Sequence, residues 1–288
     1  MNKVIVITGT SSGLGLSLAI KLAKQGHCVY ATMRDLSKKG ELVNASYSQD
    51  AKLFIKSLNV SDTTSINTCI NEIIKEQGRI DCLVNNAGMG FIKSTELASE
   101  TEIKEVIDTN FIGVVRCIKA VLPHMRKAGS GHIINISSVG GLIGQPFNEI
   151  YCASKFALEG YTESMATYIP AFFNVKFSLV EPGGITSEFA NNLLARYKME
   201  PDNNANDYEP CLQQYLSGAQ KRLSKADSGD IYQTSSEVAD CVVDVINNPN
   251  PPLRVRSSDW ANNFCAIKTQ ADPDGLKLVK QINELFLS

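Results

Sequence analysis

From residue 3 to about 182 the chain alternates short β-branched runs with longer amphipathic ones, and this alternation restricts the fold more than any other feature. Val4–Thr8, His27–Met33, Lys52–Val60, Ile80–Asn85, Gly131–Ser137 and Asn174–Glu181 are apolar runs with almost no polar alternation. Strands of that kind belong to a parallel sheet covered on both faces. Between them, residues 13–25, 62–77, 99–128 and 150–170 have helical spacing, and 35–45 has it less clearly. Strands alternating with helices specify an α/β fold with a doubly wound parallel sheet, here of about seven strands. Right-handed crossovers then place ligands at the C-terminal ends of the strands.

The alternation stops after Pro182-Gly183-Gly184. Residues 186–232 are rich in Asn, Gln, Ser and Tyr, with weak helical periodicity and no strand. They read either as a surface excursion or as a substrate lid; the lid is favoured because the segment follows a strand whose end faces the ligand. Residues 235–247 read as a helix, Pro252–Val255 as a short last strand, and the tail, with the only tryptophan, Trp260, as ending in a helix near 275–287. With neither linker nor internal repeat, residues 1–288 are expected to form one domain.

Charge narrows the partners. Lys plus Arg total 28 against 30 for Asp plus Glu, a formal charge of −2, so no basic excess exists to neutralise nucleic-acid phosphates. The eight cysteines are scattered without a Cys-x-x-Cys pair, which fits neither a disulfide framework nor a metal site, and suits a reducing compartment. Met-Asn-Lys leads straight into strand-like residues, and no apolar run approaches the 18 or so residues of a membrane span. A soluble, cytoplasmic protein is expected.

Four motifs carry chemistry. Thr8-Gly9-Thr10-Ser11-Ser12-Gly13-Leu14-Gly15 follows the first strand and opens a helix. Its glycines permit a tight turn and close approach to a pyrophosphate, which the helix N-terminus favours. The spacing is not Gly-x-Gly-x-x-Gly, and no Gly-Lys-Ser/Thr follows, which excludes a P-loop. At the end of the second strand Met33 takes the place where a carboxylate would grip a ribose diol, and Arg34 follows it. Arg34 is either a solvated charge paired with Asp35 or the cation for a 2′-phosphate, with Ser12 as a second donor. Asn85-Asn86-Ala87-Gly88 ends the fourth strand, where small and amide residues can approach a cofactor. Tyr151 and Lys155, four apart on a helix, point into one space, and a cation beside a phenol favours the phenolate. Ser138 ends the fifth strand, either capping a turn or holding a substrate oxygen.

In this order and spacing, Thr-Gly-x-x-x-Gly-x-Gly, Asn-Asn-Ala-Gly, the strand-five serine and Tyr-x-x-x-Lys resemble the short-chain dehydrogenase/reductase family. The likeness is strong over residues 3–190 and loose beyond. The segments from Ser138 to Gly160 and from Tyr30 to Leu36 resemble its 17β-hydroxysteroid and retinol dehydrogenase-like members. The resemblance implies a Rossmann-type sheet, with Tyr151 as acid and base, Lys155 lowering its pKa and holding the nicotinamide ribose, and Ser138 positioning the reacting oxygen. It further implies that Asn110 completes a proton relay through a water. Cofactor contacts implied are Gly9, Ser11, Ser12, Gly13, Leu14, Gly15, Arg34, Asn59, Val60, Asn86, Ala87, Gly88, Tyr151, Lys155, Pro182, Gly183, Ile185 and Thr186. Asn59 departs from the family's usual Asp, which weakens the expected contact to adenine.

The expected activity is interconversion of a secondary alcohol and a ketone on a mostly apolar substrate, with NADP(H) preferred over NAD(H). A reductase of acyl-chain or other polar ketones is the alternative, and a cofactor-sensing binding protein the rival from another class. Met89, Phe91, Leu142, Phe147 and Phe189 are candidate pocket residues. His27, His124 and His132 read as structural, and no metal is expected. A homodimer or homotetramer is expected by analogy alone.

Overall fold

In the computed structural model, which describes residues 2–186, 207–224, 231–270, 272, 274–277 and 280, the first strand shows why two layers of helices are needed. Strand β1 (Val4–Thr8) is buried throughout, with Ile5 and Ile7 in one apolar cluster and Val4 and Val6 in another. Side chains alternate along a strand, so both faces of this sheet must be covered.

The elements then run α1 (Gly13–Lys24), β2 (Cys28–Met33), α2 (Gly40–Ser48), β3 (Phe54–Ser57), α3 (Thr63–Gln77), β4 (Cys82–Asn85), α4 (Glu100–Ile107), α5 (Gly113–Ala128) and β5 (Gly131–Ile136). They continue through α6 (Glu149–Phe173), β6 (Val175–Glu181), β7 (Gly184–Thr186), α7 (Glu209–Ser224), β8 (Tyr232–Thr234), α8 (Ser235–Asn247), β9 (Arg254–Arg256) and α9 (Asp259–Thr269). Seven parallel strands form one sheet in the order β3-β2-β1-β4-β5-β6-β9. Leu18 and Leu22 of α1 with Val238 and Val242 of α8 fill one face; Ile70 of α3, Ile118 of α5 and Leu158 of α6 fill the other. The strand order reverses between β1 and β4, which opens a crevice at their C-terminal ends.

The helix boundaries have local causes. Asp62 accepts from Thr64 N and Ser65 N to start α3, which stops at Gly78 with φ 71°. Ser99 and Glu102 close a capping box on α4. Residues 99–128, expected as one helix, are interrupted by a π-turn over Asp108–Ile112. Edge strand β3 is shorter than its apolar run because only β2 pairs with it. The expectation of no strand between 186 and 232 is corrected at both ends: β7 and β8 pair in parallel as a separate two-stranded sheet. Most of the expected lid and of the expected helix near 275–287 lies outside the described residues.

His132, in β5, is buried, and its Nε2 lies 3.0 Å from Ser178 Oγ. Since that hydroxyl donates to Pro252 O at 2.9 Å, the imidazole must be the donor to it. Burial pushes its pKa down to about 3 from 6.5. The unfolded chain therefore takes a proton below about 6.5 that the folded one refuses until about 3, so stability falls with pH across that window. His132→Gln should lose less melting temperature than wild type between pH 7 and pH 5; equal losses would show that His132 does not couple folding to protons.

Candidate active site

The turn between β1 and α1 fits its surroundings only because of glycine. Gly9 has φ 72°, and a Cβ there would lie 2.7 Å from Ala87 Cα. A Cβ on Gly15 would lie 2.3 Å from Gly9 O. Asn86 Nδ2 donates to Thr8 O and Gly9 O, both at 2.9 Å, and Thr8 Oγ1 accepts from Asn86 N and Ala87 N, both at 3.0 Å. The two motifs are thereby welded across the switch point. Ser12 precedes α1 in extended conformation without a side-chain cap, and the first turn carries no acidic residue. The first amides of α1 and its dipole are thus available to an anion, and the glycine cradle admits a diphosphate against the backbone.

These residues line a cleft of ≈ 1920 Å³. Ordinary small-molecule pockets hold about 300–1,000 Å³, so this one accommodates a dinucleotide together with a second molecule. Every nominated cofactor and catalytic residue lines it except Asn110 and Thr186. Asn110 is fully buried beside it, and Thr186 is exposed on β7.

At one end of the cleft Arg34 is exposed and makes no ion pair among the described residues. Asp35, its expected competitor, accepts from Ser37 N at 2.9 Å, and the hydrogen bonds from Ser37 hold that carboxyl below its ordinary range. Met33 is only 2 % exposed and belongs to the core. Asn59 Oδ1 accepts from Ser61 N at 3.2 Å and shapes the turn beside Val60.

At the other end, Ser138 starts a short 3-10 turn over Val139–Gly141, its Oγ accepting from Gly140 N at 3.0 Å. The same hydroxyl hydrogen-bonds the Tyr151 phenol from the first turn of α6. The capping reading of Ser138 holds, and its hydroxyl also meets the Tyr151 phenol in the cleft. Lys155 is 6 % exposed; its Nζ donates to Ile136 O at 2.9 Å and lies 5.8 Å from the Tyr151 ring centre. Burial pushes Tyr151 up to about 12, against the opposing hydrogen bond from Ser138. Burial also pushes Lys155 down to about 8, with Glu159 pulling the other way. In the protein alone burial therefore prevails in setting the Tyr151 pKa.

The π-turn places Asn110 so that its Oδ1 accepts from Met89 N at 2.8 Å, while Nδ2 donates to Met89 O at 2.8 Å and Ser154 Oγ at 3.1 Å. Its side chain ties the loop after β4 to α6. Gly88 sits between the two: a Cβ there would lie 3.3 Å from Asn110 Oδ1 and 3.8 Å from Lys155 Nζ.

The substrate side corrects several expectations. Met89 lines the cleft, but Phe91 and Leu142 are buried in core packing, and Phe147 instead faces Tyr215, with ring centres 5.8 Å apart. Phe189 lies outside the described residues. The aromatic wall comes from α7 and α9. Tyr215 accepts from Asn148 Nδ2 at 2.9 Å, and Trp260 stacks on Phe264 at 4.8 Å; all three rings line the cleft. The lone tryptophan was the only sequence signal for this wall. No histidine lines the cleft, and no group of three metal-binding side chains occurs among the described residues.

Comparison with known proteins agrees with this geometry. Residues 3–198 match the family described as short chain dehydrogenase. The chain is 39 % identical over 290 residues to retinol dehydrogenase 8 of Homo sapiens, covering 99 % of this chain and 90 % of that one. It is 37 % identical to 17-beta-hydroxysteroid dehydrogenase type 1 of Homo sapiens, covering 98 % and 86 %. A 3-ketodihydrosphingosine reductase of Bacteroides thetaiotaomicron is 39 % identical, covering 88 % and 87 %. The chain belongs to the short-chain dehydrogenase family, as an oxidoreductase of hydroxyl and keto groups built to bind a nicotinamide dinucleotide.

Proposed function

We propose that this protein interconverts a secondary alcohol and a ketone on a mostly apolar, lipid-like substrate, with NADP(H) as preferred cofactor and Tyr151 as acid and base. The observation that carries the reading is the Ser138–Tyr151–Lys155 group at one end of a dinucleotide-sized cleft walled by Trp260, Phe264 and Tyr215. The nicotinamide, when bound, supplies or accepts the hydride. Ser138 holds the substrate oxygen by hydrogen bonding. Tyr151, a neutral phenol at pH 7, donates its proton to that oxygen as the ketone is reduced, and Lys155 stabilises the phenolate left behind. In alcohol oxidation the proton moves the other way.

Relatives named for retinol, a hydroxysteroid and 3-ketodihydrosphingosine all support an apolar substrate. The last also supports the second reading, a reductase of acyl-chain ketones. A steady-state screen of retinal, a 17-ketosteroid and 3-ketodihydrosphingosine with NADPH and NADH separates the two. Turnover of none of them, with turnover of small polar ketones, would remove the lipid assignment. Tyr168 and Phe172, four residues apart on α6 and exposed, support a homo-oligomer contact there. The eight cysteines, all free thiols, suit a cytoplasmic setting, and no described helix is long and apolar enough to cross a membrane.

Cofactor preference rests on Arg34. A charge-assisted contact to a 2′-phosphate contributes about 1.5–3 kcal/mol, or roughly 10- to 150-fold in affinity. Arg34→Ala should lower kcat/KM for NADPH by that factor and leave NADH nearly unchanged. Adding Met33→Asp would bury a carboxylate in the core, so the single variant is the cleaner test. Equal use of both cofactors by the wild type would make Arg34 a solvated surface charge.

A further inference from the structure

Charged side chains that no step above uses meet one helical turn below Lys155. Glu159 of α6 is 4 % exposed and Glu181, at the end of β6, is 0 % exposed. Arg254 of β9 lies between them, its Nε 3.1 Å from Glu159 Oε2 and 3.5 Å from Glu181 Oε1, and it also pairs with Glu163. Arg256 Nη1 is 2.9 Å from Glu181 Oε2, and its Nε donates to Asn262 of α9. Two guanidiniums thus face three carboxyl groups, so the fully ionised cluster carries one negative charge too many. Charges out of water need partners. Lys155, four residues before Glu159 on the same helix, supplies a positive one. Gly141 lets the loop after β5 pack tightly on this turn of α6: a Cβ there would lie 3.0 Å from Glu159 Cγ, 3.2 Å from the Lys155 main-chain O and 2.7 Å from Ser137 Oγ.

We propose that the Glu159–Glu181 pair, bridged by Arg254, sets the charge on Lys155: Glu159 is a positioning residue that holds the ammonium charged, and Glu181 limits this because two neighbouring carboxylates oppose each other's ionisation. The energetics agree in direction. Burial lowers Lys155 and Glu159 opposes it. Burial raises both carboxyls, Glu181 to about 8, and the charge of Glu159 raises Glu181 further. The facing groups are Lys155 and Glu163 on α6, Ser137 after β5, Glu181 on β6, Arg254 and Arg256 on β9, and on α9 Cys265, whose thiol burial pushes up to about 11. Removing Glu159 takes away the carboxylate whose charge supports that of Lys155. Neutralising Glu181 instead leaves Glu159 more fully ionised.

The proposal rests on the reading that Lys155 must be charged to stabilise the Tyr151 phenolate, and two measurements keep the parts separate. The first is an NMR titration of Lys155 in protein labelled with ¹³C at lysine Cε, assigned with Lys155→Met and run without substrate. Glu159→Gln should lower the Lys155 midpoint by about one pH unit. Glu159→Asp should restore most of it, and Glu181→Gln should shift it the opposite way. An unchanged midpoint in Glu159→Gln, or shifts of one sign in both glutamine variants, overturns the proposal. If Glu159→Gln does not fold, Glu181→Gln decides alone: a zero or downward shift overturns it. The second is the pH profile of ketone reduction, whose alkaline limb should follow the same midpoints. Midpoints that move while the limb stays fixed would defeat the catalytic role of the Lys155 charge, and with it the functional use of this pair.

Discussion

Tyr151→Phe is expected to lower turnover by at least about 100-fold while leaving cofactor affinity near that of the wild type. The ring and its packing remain, so the fold is kept, and only the transferable proton and its hydrogen bond with Ser138 disappear. Because burial holds the phenol at about 12, the wild type presents a protonated acid throughout the neutral range, as ketone reduction requires. Alcohol oxidation needs the phenolate, so its rate should climb with pH where reduction does not. Steady-state kinetics with a cofactor titration by fluorescence decide the matter. More than a tenth of wild-type turnover in the variant would take Tyr151 out of the acid–base role.

The largest stability loss is expected from Arg254→Met. The methionine fills much of the volume but leaves Glu181 with Arg256 and deprives Glu159 of its guanidinium partner. Removing one partner of a buried ion pair costs about 3–5 kcal/mol, because the remaining charge stays desolvated. Against a total stability of about 5–15 kcal/mol this is a large share. Urea denaturation of the two proteins should show it as a lower midpoint at similar slope. Adding Glu159→Gln should recover part of the loss, since fewer unpaired charges are then buried. A loss below about 1 kcal/mol would mean that water reaches the cluster and screens it.

What the sequence made legible follows from how local the signals are. β1, the glycine turn and α1 were readable because strand period, glycine spacing and helix period change within Val4–Lys24. Tyr151 and Lys155 were readable because four residues on a helix is a fixed geometry. The π-turn at Asp108–Ile112 was hidden, since apolar spacing runs on across it and only the pairing of Asn110 with Met89 reveals why the helix opens there. Phe91 and Leu142 are apolar like any pocket wall, and only their neighbours assign them to the core. Trp260 and Tyr215 reach the cleft from elements far along the chain, and Arg254 meets Glu159 from 95 residues away. Such meetings depend on tertiary packing that no local pattern encodes.

The pairing of β7 with β8 closes at its base the segment that runs between them. Gly184 lies beside Tyr232, Ile185 beside Gln233 and Thr186 beside Thr234, so the chain leaves the body and returns to it at one spot. Immediately after, the capping box of Thr234 and Glu237 fixes the start of α8. With both ends clamped, lengthening the intervening segment costs little, about 0.6 kcal/mol for each doubling of a flexible loop. The proposed reaction groups, Ser138 after β5 and Tyr151 and Lys155 on α6, lie outside that segment, so its replacement should leave them in place. Grafting a relative's segment between Thr186 and Tyr232 is thus the natural unit for redirecting this enzyme.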